Sequence, residues 1–125
     1  AVKTALESVG KAVVLQEADL HAVTALSGSG PAYVFYLIES MLAAGEELGT
    51  KPEVARTLVL QTIIGAAKLM EGTGLGADEL RQRVTSKGGT TFAAIETFEK
   101  LGVGSGITTG TLAAAARSRE LAGEG

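Results

Sequence analysis

Residues 31–48 read PAYVFYLIESMLAAGEEL, and this stretch decides the fold. Nearly every position up to Gly45 is apolar or small, and Glu39 and Ser40 are the exceptions. The leading proline suits a first helical turn, where its missing N–H group costs nothing, so we predict a helix over residues 32–48. A helix with so few polar positions is apolar around most of its circumference. We therefore expect it to be buried on most sides.

A second long helix follows directly. Gly49 gives the first helix a stop, and the spacing from Thr50 to Glu53 is that of a capping box. These signals predict a helix over about residues 51–71. Its polar side chains form one narrow stripe, made up of Glu53, Thr57, Gln61 and Lys68. The other positions are mostly apolar, so this helix is also expected to be mostly buried.

Two helices of this kind are difficult to bury inside a domain of 125 residues, because surface outweighs interior at that size. A partner subunit is the economical explanation, and packing within one monomer is the alternative. Small residues at positions 43–45 and 65–67 would let the helices of two subunits approach closely. The sequence therefore predicts an all-α helical bundle that associates with a second subunit.

Shorter helices flank the two long ones, and turn residues separate them. The predicted short helices cover residues 18–26, 78–84, 92–101 and 108–121. The segment 27–31 breaks the chain before the first long helix, with Ser29 as the N-cap. Three glycines predict a loop at residues 102–106.

The N-terminal segment differs from the rest of the chain. Residues 11–15 read KAVVL, a short valine-rich strand pattern, whereas every later segment is helical in period. A single strand needs a partner, so we interpret it as the edge of a sheet whose remainder is absent. No signal-peptide pattern precedes it, and we expect the chain to be a piece of a longer protein.

Composition excludes several kinds of site. The formal net charge is −3 and no block of basic residues occurs, which argues against a nucleic-acid partner. The chain has no cysteine and only one histidine, His21, so neither a disulfide nor a metal site is expected. The longest apolar run, around residues 31–38, is too short to span a bilayer. We expect a soluble, cytoplasmic protein without a membrane partner.

Residues 85–91 read TSKGGTT and lead directly into an apolar helical pattern. Two glycines allow a tight turn, hydroxyl side chains surround it, and a helix N-terminus offers unpaired N–H groups with partial positive charge. Such a junction suits a small anion such as a carboxylate, and an ordinary capped glycine loop is the alternative. No glycine-rich segment here is a dinucleotide fingerprint, because none follows a buried strand.

Side chains for acid–base or nucleophilic catalysis are scarce. A lone histidine on a short exposed helix is structural more often than catalytic, so we interpret His21 as structural. Glu39 could act as a general base, but a carboxylate paired across a subunit interface fits its apolar surroundings better. Tyr33 and Tyr36 are expected to pack in the core or the interface with their hydroxyl groups hydrogen bonded. Any chemistry here rests on binding and orientation by hydroxyls and backbone amides.

Four segments together resemble the C-terminal domain of pyrroline-5-carboxylate reductase in their order and spacing. They read AVTALSGSGPAY at residues 22–33, GAAK at 65–68, VTSKGGTT at 84–91 and RSREL at 117–121. The resemblance covers nearly the whole chain from about Gly10 onward. It implies an all-α dimerisation domain whose long helices interlock with those of a second subunit, in a homodimer or a larger assembly.

The resemblance also implies an activity. The family reduces 1-pyrroline-5-carboxylate to proline with NADPH or NADH, in proline biosynthesis. By this resemblance, residues 1–16 are the end of a nucleotide-binding domain and residues 17–125 form the helical dimerisation and substrate-binding domain. The cofactor would be held mainly by the absent N-terminal domain, so this chain alone is expected to lack reductase activity.

By the same resemblance, the substrate carboxylate lies against the turn. The positions that match the family's motif are Ser86, Gly88, Gly89, Thr90 and Thr91. Thr24 would form an orienting hydrogen bond near the imine nitrogen and the nicotinamide, as the catalytic residue and the contact to the cofactor. Lys87 replaces the family's usual proline and adds a cation beside the carboxylate. His21 replaces the usual aspartate, which is expected to change only the surface.

Two alternatives belong to other classes. A stand-alone helical dimerisation module would share the long apolar helices but bind no ligand. Another dehydrogenase with a helical C-terminal domain would be expected to place a catalytic lysine in the first long helix, and residues 31–49 contain none. The reductase is therefore the favoured interpretation.

Overall fold

The computed structural model describes residues 19–123, and this part of the chain is helical almost throughout. Its helices are α1 (Leu20–Val23), α2 (Gly30–Glu47), α3 (Pro52–Thr73), α4 (Ala77–Arg83), α5 (Thr90–Lys100) and α6 (Val103–Leu121), and a π-helical turn (Thr24–Gly28) follows α1. The predicted all-α class is confirmed. The predicted strand at residues 11–15 and the domain end at 1–16 lie outside the described residues. No helix between residues 19 and 123 is long and apolar enough to cross a membrane.

The chain divides into two compact units. The first unit contains the residues up to Phe35 and those from Gly102 onward, and the second spans Tyr36–Leu101. Helix α2 begins in the first unit and ends in the second. The first unit therefore contains both the start and the end of the described chain.

In the first unit, α1 and the π-helical turn pack against α6. Ala25 in the turn is 2% exposed, and Ala115 in α6 is also buried. Small side chains at these positions let the two elements approach closely. The Nδ1 atom of His21 lies 2.8 Å from the Oγ atom of Ser118 and links α1 to α6.

The first helical segment does not end where the sequence predicts. The π-helical turn continues from α1, and Ser29 has helical backbone angles (φ −89°, ψ −17°), whereas an N-cap residue is extended. The N–H group of Ser29 donates to the carbonyl oxygen of Thr24, five residues earlier, at 2.8 Å. The predicted N-cap at Ser29 is therefore wrong, because the turn keeps the backbone helical up to the start of α2.

In the second unit, a tight connection joins α2 to α3. Gly49 has a φ of +80°, and its N–H group donates to the carbonyl oxygen of Glu46 at 3.0 Å. The N–H group of Thr50 donates to the carbonyl oxygen of Gly45 at 2.9 Å. This pair of bonds is a Schellman motif, and it confirms Gly49 as the stop. The predicted capping box is wrong, because the extended Lys51 is the N-cap and no side chain caps α3.

Both long helices expose most of their apolar side chains in the single chain. Helix α2 has no buried residue, and α3 buries only Ala55 and Val59. The exposed large side chains of the two helices are Val34, Phe35, Tyr36, Leu37, Met41, Val54, Leu58, Leu60, Ile64, Leu69 and Met70. One chain therefore does not bury these helices by itself, which does not support the alternative of packing within one monomer and agrees with the expected partner subunit. Because soluble monomers rarely expose large apolar patches, these faces indicate a protein partner.

Helix α6 begins earlier than the sequence predicts. Gly102 has a left-handed φ of +71° and precedes the helix, and the N–H group of Gly106 already donates to its carbonyl oxygen at 2.8 Å. The predicted loop at residues 102–106 is therefore wrong. Each helical glycine costs about 1 kcal/mol relative to alanine, but propensity is a weak preference that tertiary packing overrides. Here α6 packs against α1 and the π-helical turn.

Gly45 is expected to be essential for the contact between α2 and α3, because a Cβ atom built there would lie 3.2 Å from the Cβ of Ala55. Gly45→Val should lower the free energy of unfolding by about 1–3 kcal/mol through overpacking. Gly72→Ala is the control, since nothing lies within 4 Å of a Cβ there, and it should stabilise its helix by roughly 0.5–1 kcal/mol. Urea denaturation at one protein concentration measures both, and equal effects would contradict the close contact.

Candidate functional site

The turn between α4 and α5 is the candidate site. Gly88 has a φ of +78°, and the N–H group of Gly89 donates to the carbonyl oxygen of Ser86 at 2.9 Å. Gly89 is the extended N-cap residue (φ −88°, ψ −178°) of α5. Helix α5 therefore starts two residues earlier than predicted, so that Thr90 and Thr91 form its first turn.

Backbone N–H groups at the start of α5 are available to a ligand. No side chain caps this helix, and Ala93 is the residue whose N–H group bonds back to the carbonyl oxygen of Gly89, at 3.1 Å. The N–H groups of Thr90, Thr91 and Phe92 precede that bond and have no intrahelical acceptor. Together with the helix dipole, they favour an anion at this end.

Hydroxyl groups around the turn differ in whether they already form a hydrogen bond. Ser86 and Thr90 are exposed, Thr91 is half-buried, and the side chains of these three residues form no hydrogen bond within the described part of the chain. Thr85, by contrast, donates its hydroxyl to the carbonyl oxygen of Arg81 at 2.6 Å. The turn thus combines three available hydroxyl groups with free backbone amides. Such a set of donors is suited to a carboxylate.

Position 89 requires glycine, because its backbone lies close to Ser86 inside the turn. A Cβ atom at this position would lie 2.6 Å from the Oγ atom of Ser86 and 3.2 Å from its carbonyl oxygen. A side chain at position 89 would therefore displace the Ser86 hydroxyl from the helix end. The glycine keeps this hydroxyl beside the free amides.

A groove next to the turn is lined by the apolar side chains of Phe92 and Ile95 together with charged side chains. Arg81 and Lys87 line it, and neither forms an ion pair within residues 19–123. Two carboxylates also line the groove. Glu96 forms an ion pair with Lys100 at 3.8 Å, whereas Glu99 forms none within residues 19–123. Unpaired cations therefore exceed unpaired carboxylates here. The excess is one positive charge on side chains that are exposed to solvent, so its attraction for a small anion is weak and is screened by salt.

Thr24 lies in the first unit, at the start of the π-helical turn, whereas the other predicted site residues lie in the second unit. Its side chain is exposed. The Oγ1 atom donates its proton to the carbonyl oxygen of Leu20 at 3.1 Å. Because a hydroxyl has one proton, the Thr24 oxygen is left to accept a hydrogen bond from a ligand.

The other candidate side chains have structural surroundings. His21 contacts Ser118, as described above, in agreement with a structural role. Tyr33 donates to the carbonyl oxygen of Ala25 at 2.7 Å. Tyr36 is 74% exposed in the single chain, so it does not pack in the core of one chain, and its place in a subunit interface stays a prediction. Within residues 19–123, no group of three His, Cys, Asp or Glu side chains could hold a metal ion.

Comparison with known sequences identifies the family. The sequence profile of pyrroline-5-carboxylate reductase dimerisation matches residues 17–121. A pyrroline-5-carboxylate reductase of Pseudomonas aeruginosa is 48% identical over 118 residues, which is 94% of this chain and 43% of that protein. The chain spans less than half the length of the curated relatives it matches.

Solved structures agree with the sequence comparison. The pyrroline carboxylate reductase of Plasmodium falciparum, solved with NADP bound, has a TM-score of 0.81 and 33% identity, over 85% of this chain and 42% of that one. A pyrroline-5-carboxylate reductase of Coxiella burnetii has a TM-score of 0.81 and 41% identity, over 86% of this chain and 40% of that one.

The fold is that of an all-α dimerisation domain, with two long helices whose apolar faces a single chain leaves exposed. The chain belongs to the pyrroline-5-carboxylate reductase dimerisation family.

Proposed function

We propose that this chain is the dimerisation and substrate-binding part of a reductase that converts 1-pyrroline-5-carboxylate to proline. The uncapped start of α5, with its free amides and hydroxyl groups, is the observation that carries the proposal. The names of the relatives support the reaction. The alternative of a stand-alone dimerisation module accounts for the exposed apolar helices but not for this turn.

The substrate carboxylate binds in the turn between α4 and α5. Hydroxyl groups and backbone amides of the turn donate to its two oxygens, and Ser86, Gly88, Thr90 and Thr91 supply these donors. Gly89, whose own N–H group is bonded to the Ser86 carbonyl, shapes the turn around the carboxylate. Binding at a preorganised turn fixes the position of the ring, because the donors are already oriented before the substrate arrives. Lys87 adds positive charge beside the carboxylate and strengthens its binding.

Thr24 orients the reacting end of the substrate. Hydride addition requires the imine as its protonated form, whose N–H group is a hydrogen-bond donor. The Thr24 oxygen is an acceptor, since its own proton is committed to Leu20. A hydrogen bond that Thr24 accepts from this N–H group, or from the carboxamide of the cofactor, holds the substrate and cofactor in the reactive orientation. The oxygen therefore acts by position rather than by proton transfer.

NADPH or NADH supplies the hydride when bound. Residues 19–123 offer it the Thr24 hydroxyl, and their glycine-rich turns follow helices or loops rather than the buried strand that a dinucleotide fingerprint requires. The rest of the nucleotide is therefore held by another part of the reductase. On this proposal the chain by itself has no reductase activity.

The apolar faces of α2 and α3 bind a second copy of the chain. In a symmetric homodimer both subunits use the same faces, so the apolar face of each subunit covers that of the other. Larger assemblies of such dimers are compatible with the proposal. We place the reductase in the cytoplasm.

Thermal unfolding of this chain with proline or tetrahydrofuran-2-carboxylate tests the carboxylate site. At ligand concentrations about ten times Kd, binding adds about 1.4 kcal/mol and raises Tm by roughly 5 °C. Thr91→Ala should remove most of this shift. Thr57→Ala is the control, because the Thr57 hydroxyl donates to the Glu53 carbonyl on α3 at 3.0 Å. A stable dimer with no ligand-dependent shift would favour the stand-alone module.

A further inference from the structure

Tyr33 makes a contact that the proposed function does not use. Its hydroxyl donates to the carbonyl oxygen of Ala25, eight residues earlier, at 2.7 Å. Ala25 lies inside the π-helical turn and is 2% exposed, the lowest value among the buried apolar residues. Tyr33 is half-buried on the first part of α2, in the same unit as the turn. The bond therefore joins α2 to the interior of the turn.

The backbone around this turn departs from regular α-helical bonding. The N–H group of Ser29 bonds to the carbonyl oxygen of Thr24, five residues earlier, and that of Ala32 bonds to the carbonyl oxygen of Ser29, three residues earlier. Single π-helical turns of this kind are rare and occur often at functional sites. A π-helical turn replaces the regular bonds between residues four apart, so other contacts are needed to hold its carbonyl groups. The Tyr33 hydroxyl on α2, which donates to the Ala25 carbonyl inside the turn, is such a contact.

We propose that Tyr33 is a positioning residue for Thr24. The Tyr33 hydroxyl holds the π-helical turn, and the turn fixes the direction in which the Thr24 oxygen accepts a hydrogen bond. The proposal rests on the function proposed for Thr24 above.

A second hydrogen bond holds α1, the helix that precedes the π-helical turn. The bond between His21 and Ser118 ties α1 to α6, three residues before Thr24. That bond fixes where α1 lies on α6, but it does not reach the carbonyl groups of the turn. Within residues 19–123, the Tyr33 hydroxyl is the side-chain group that donates to a carbonyl inside the turn. It therefore controls the local backbone conformation, and His21 controls the position of α1.

Amide hydrogen exchange of this chain tests the local effect. Tyr33→Phe removes only the hydroxyl, and it should raise the exchange rate of the Ser29 amide about tenfold, since that amide closes the π-helical turn. Tyr36→Phe is the matched control on the same helix, because the Tyr36 hydroxyl forms no hydrogen bond within the described residues. The control should leave the Ser29 amide unchanged. Equal rates in the Tyr33 variant and the parent chain would overturn the proposal.

A double-mutant cycle in the full-length reductase tests the functional effect. Tyr33→Phe should lower kcat about tenfold with little change in KM, and it should have no further effect when Thr24 is already alanine. A purely structural role would instead make the two effects multiply, which overturns the inference. If Thr24→Ala alone leaves kcat/KM unchanged, the role proposed for Thr24 fails. The cycle therefore separates failure of the inference from failure of the proposed function.

Discussion

Leu58→Glu is expected to convert the dimer of this chain into monomers. Leu58 is 60% exposed on α3 in the single chain, and the proposed dimer covers this face. A symmetric dimer contains the substitution twice. Losing the burial of two leucine side chains costs about 3–6 kcal/mol, at about 1.5–3 kcal/mol each. The dissociation constant should therefore rise by about 10²- to 10⁴-fold, before the cost of placing charges in the interface is added.

Thr57→Glu is the matched control for this experiment. It introduces the same charge at the neighbouring position, on the polar stripe of α3 that carries Glu53 and Gln61. Sedimentation velocity at micromolar concentration should show a dimer for the control and a monomer for Leu58→Glu. If both variants sediment as dimers, the face around Leu58 is not the interface.

Removing two hydroxyl groups from the turn should strongly weaken substrate binding in the full-length reductase. Ser86→Ala combined with Thr91→Ala deletes two of the donors proposed for the carboxylate, and hydrogen bonds to charged groups contribute about 1.5–3 kcal/mol each. The KM for 1-pyrroline-5-carboxylate should rise by at least about 100-fold. Because the carboxylate does not change during hydride transfer, kcat should change little.

Thr85→Ala is the control for the turn. The Thr85 hydroxyl is already bonded to the carbonyl oxygen of Arg81 in α4, so its loss should leave KM within about threefold of the parent enzyme. Steady-state kinetics over a range of substrate concentrations separate KM from kcat. A double variant with an unchanged KM would place the carboxylate elsewhere.

Sequence patterns predicted the long helices well because their signals are local. Gly49 stops α2 through a left-handed φ that glycine adopts easily, and the apolar run defines the helix before it. The cluster of glycines at positions 102–106 misled the prediction, since helix propensity is weak against the packing of α6 in the first unit. The capping box failed because Thr50 is occupied in closing α2.

Long-range contacts were beyond the sequence patterns. Nothing in the spacing of Ala25 and Tyr33 indicates a hydrogen bond, because it depends on a π-helical turn that no simple periodicity describes. The turn at residues 85–91 was predictable as a set of donors, since glycine and hydroxyl residues define it locally. Its carboxylate remains a prediction.

The exposed apolar faces of α2 and α3 are expected to couple folding of the chain to its assembly into dimers. Residues 19–123 bury few large side chains within one chain, so folding and subunit association are expected to be a single coupled process. The denaturation midpoint should then rise with protein concentration. Subunits of two related reductases would mix only slowly once assembled, because each exchange passes through a chain whose apolar surface is open to proteases and aggregation.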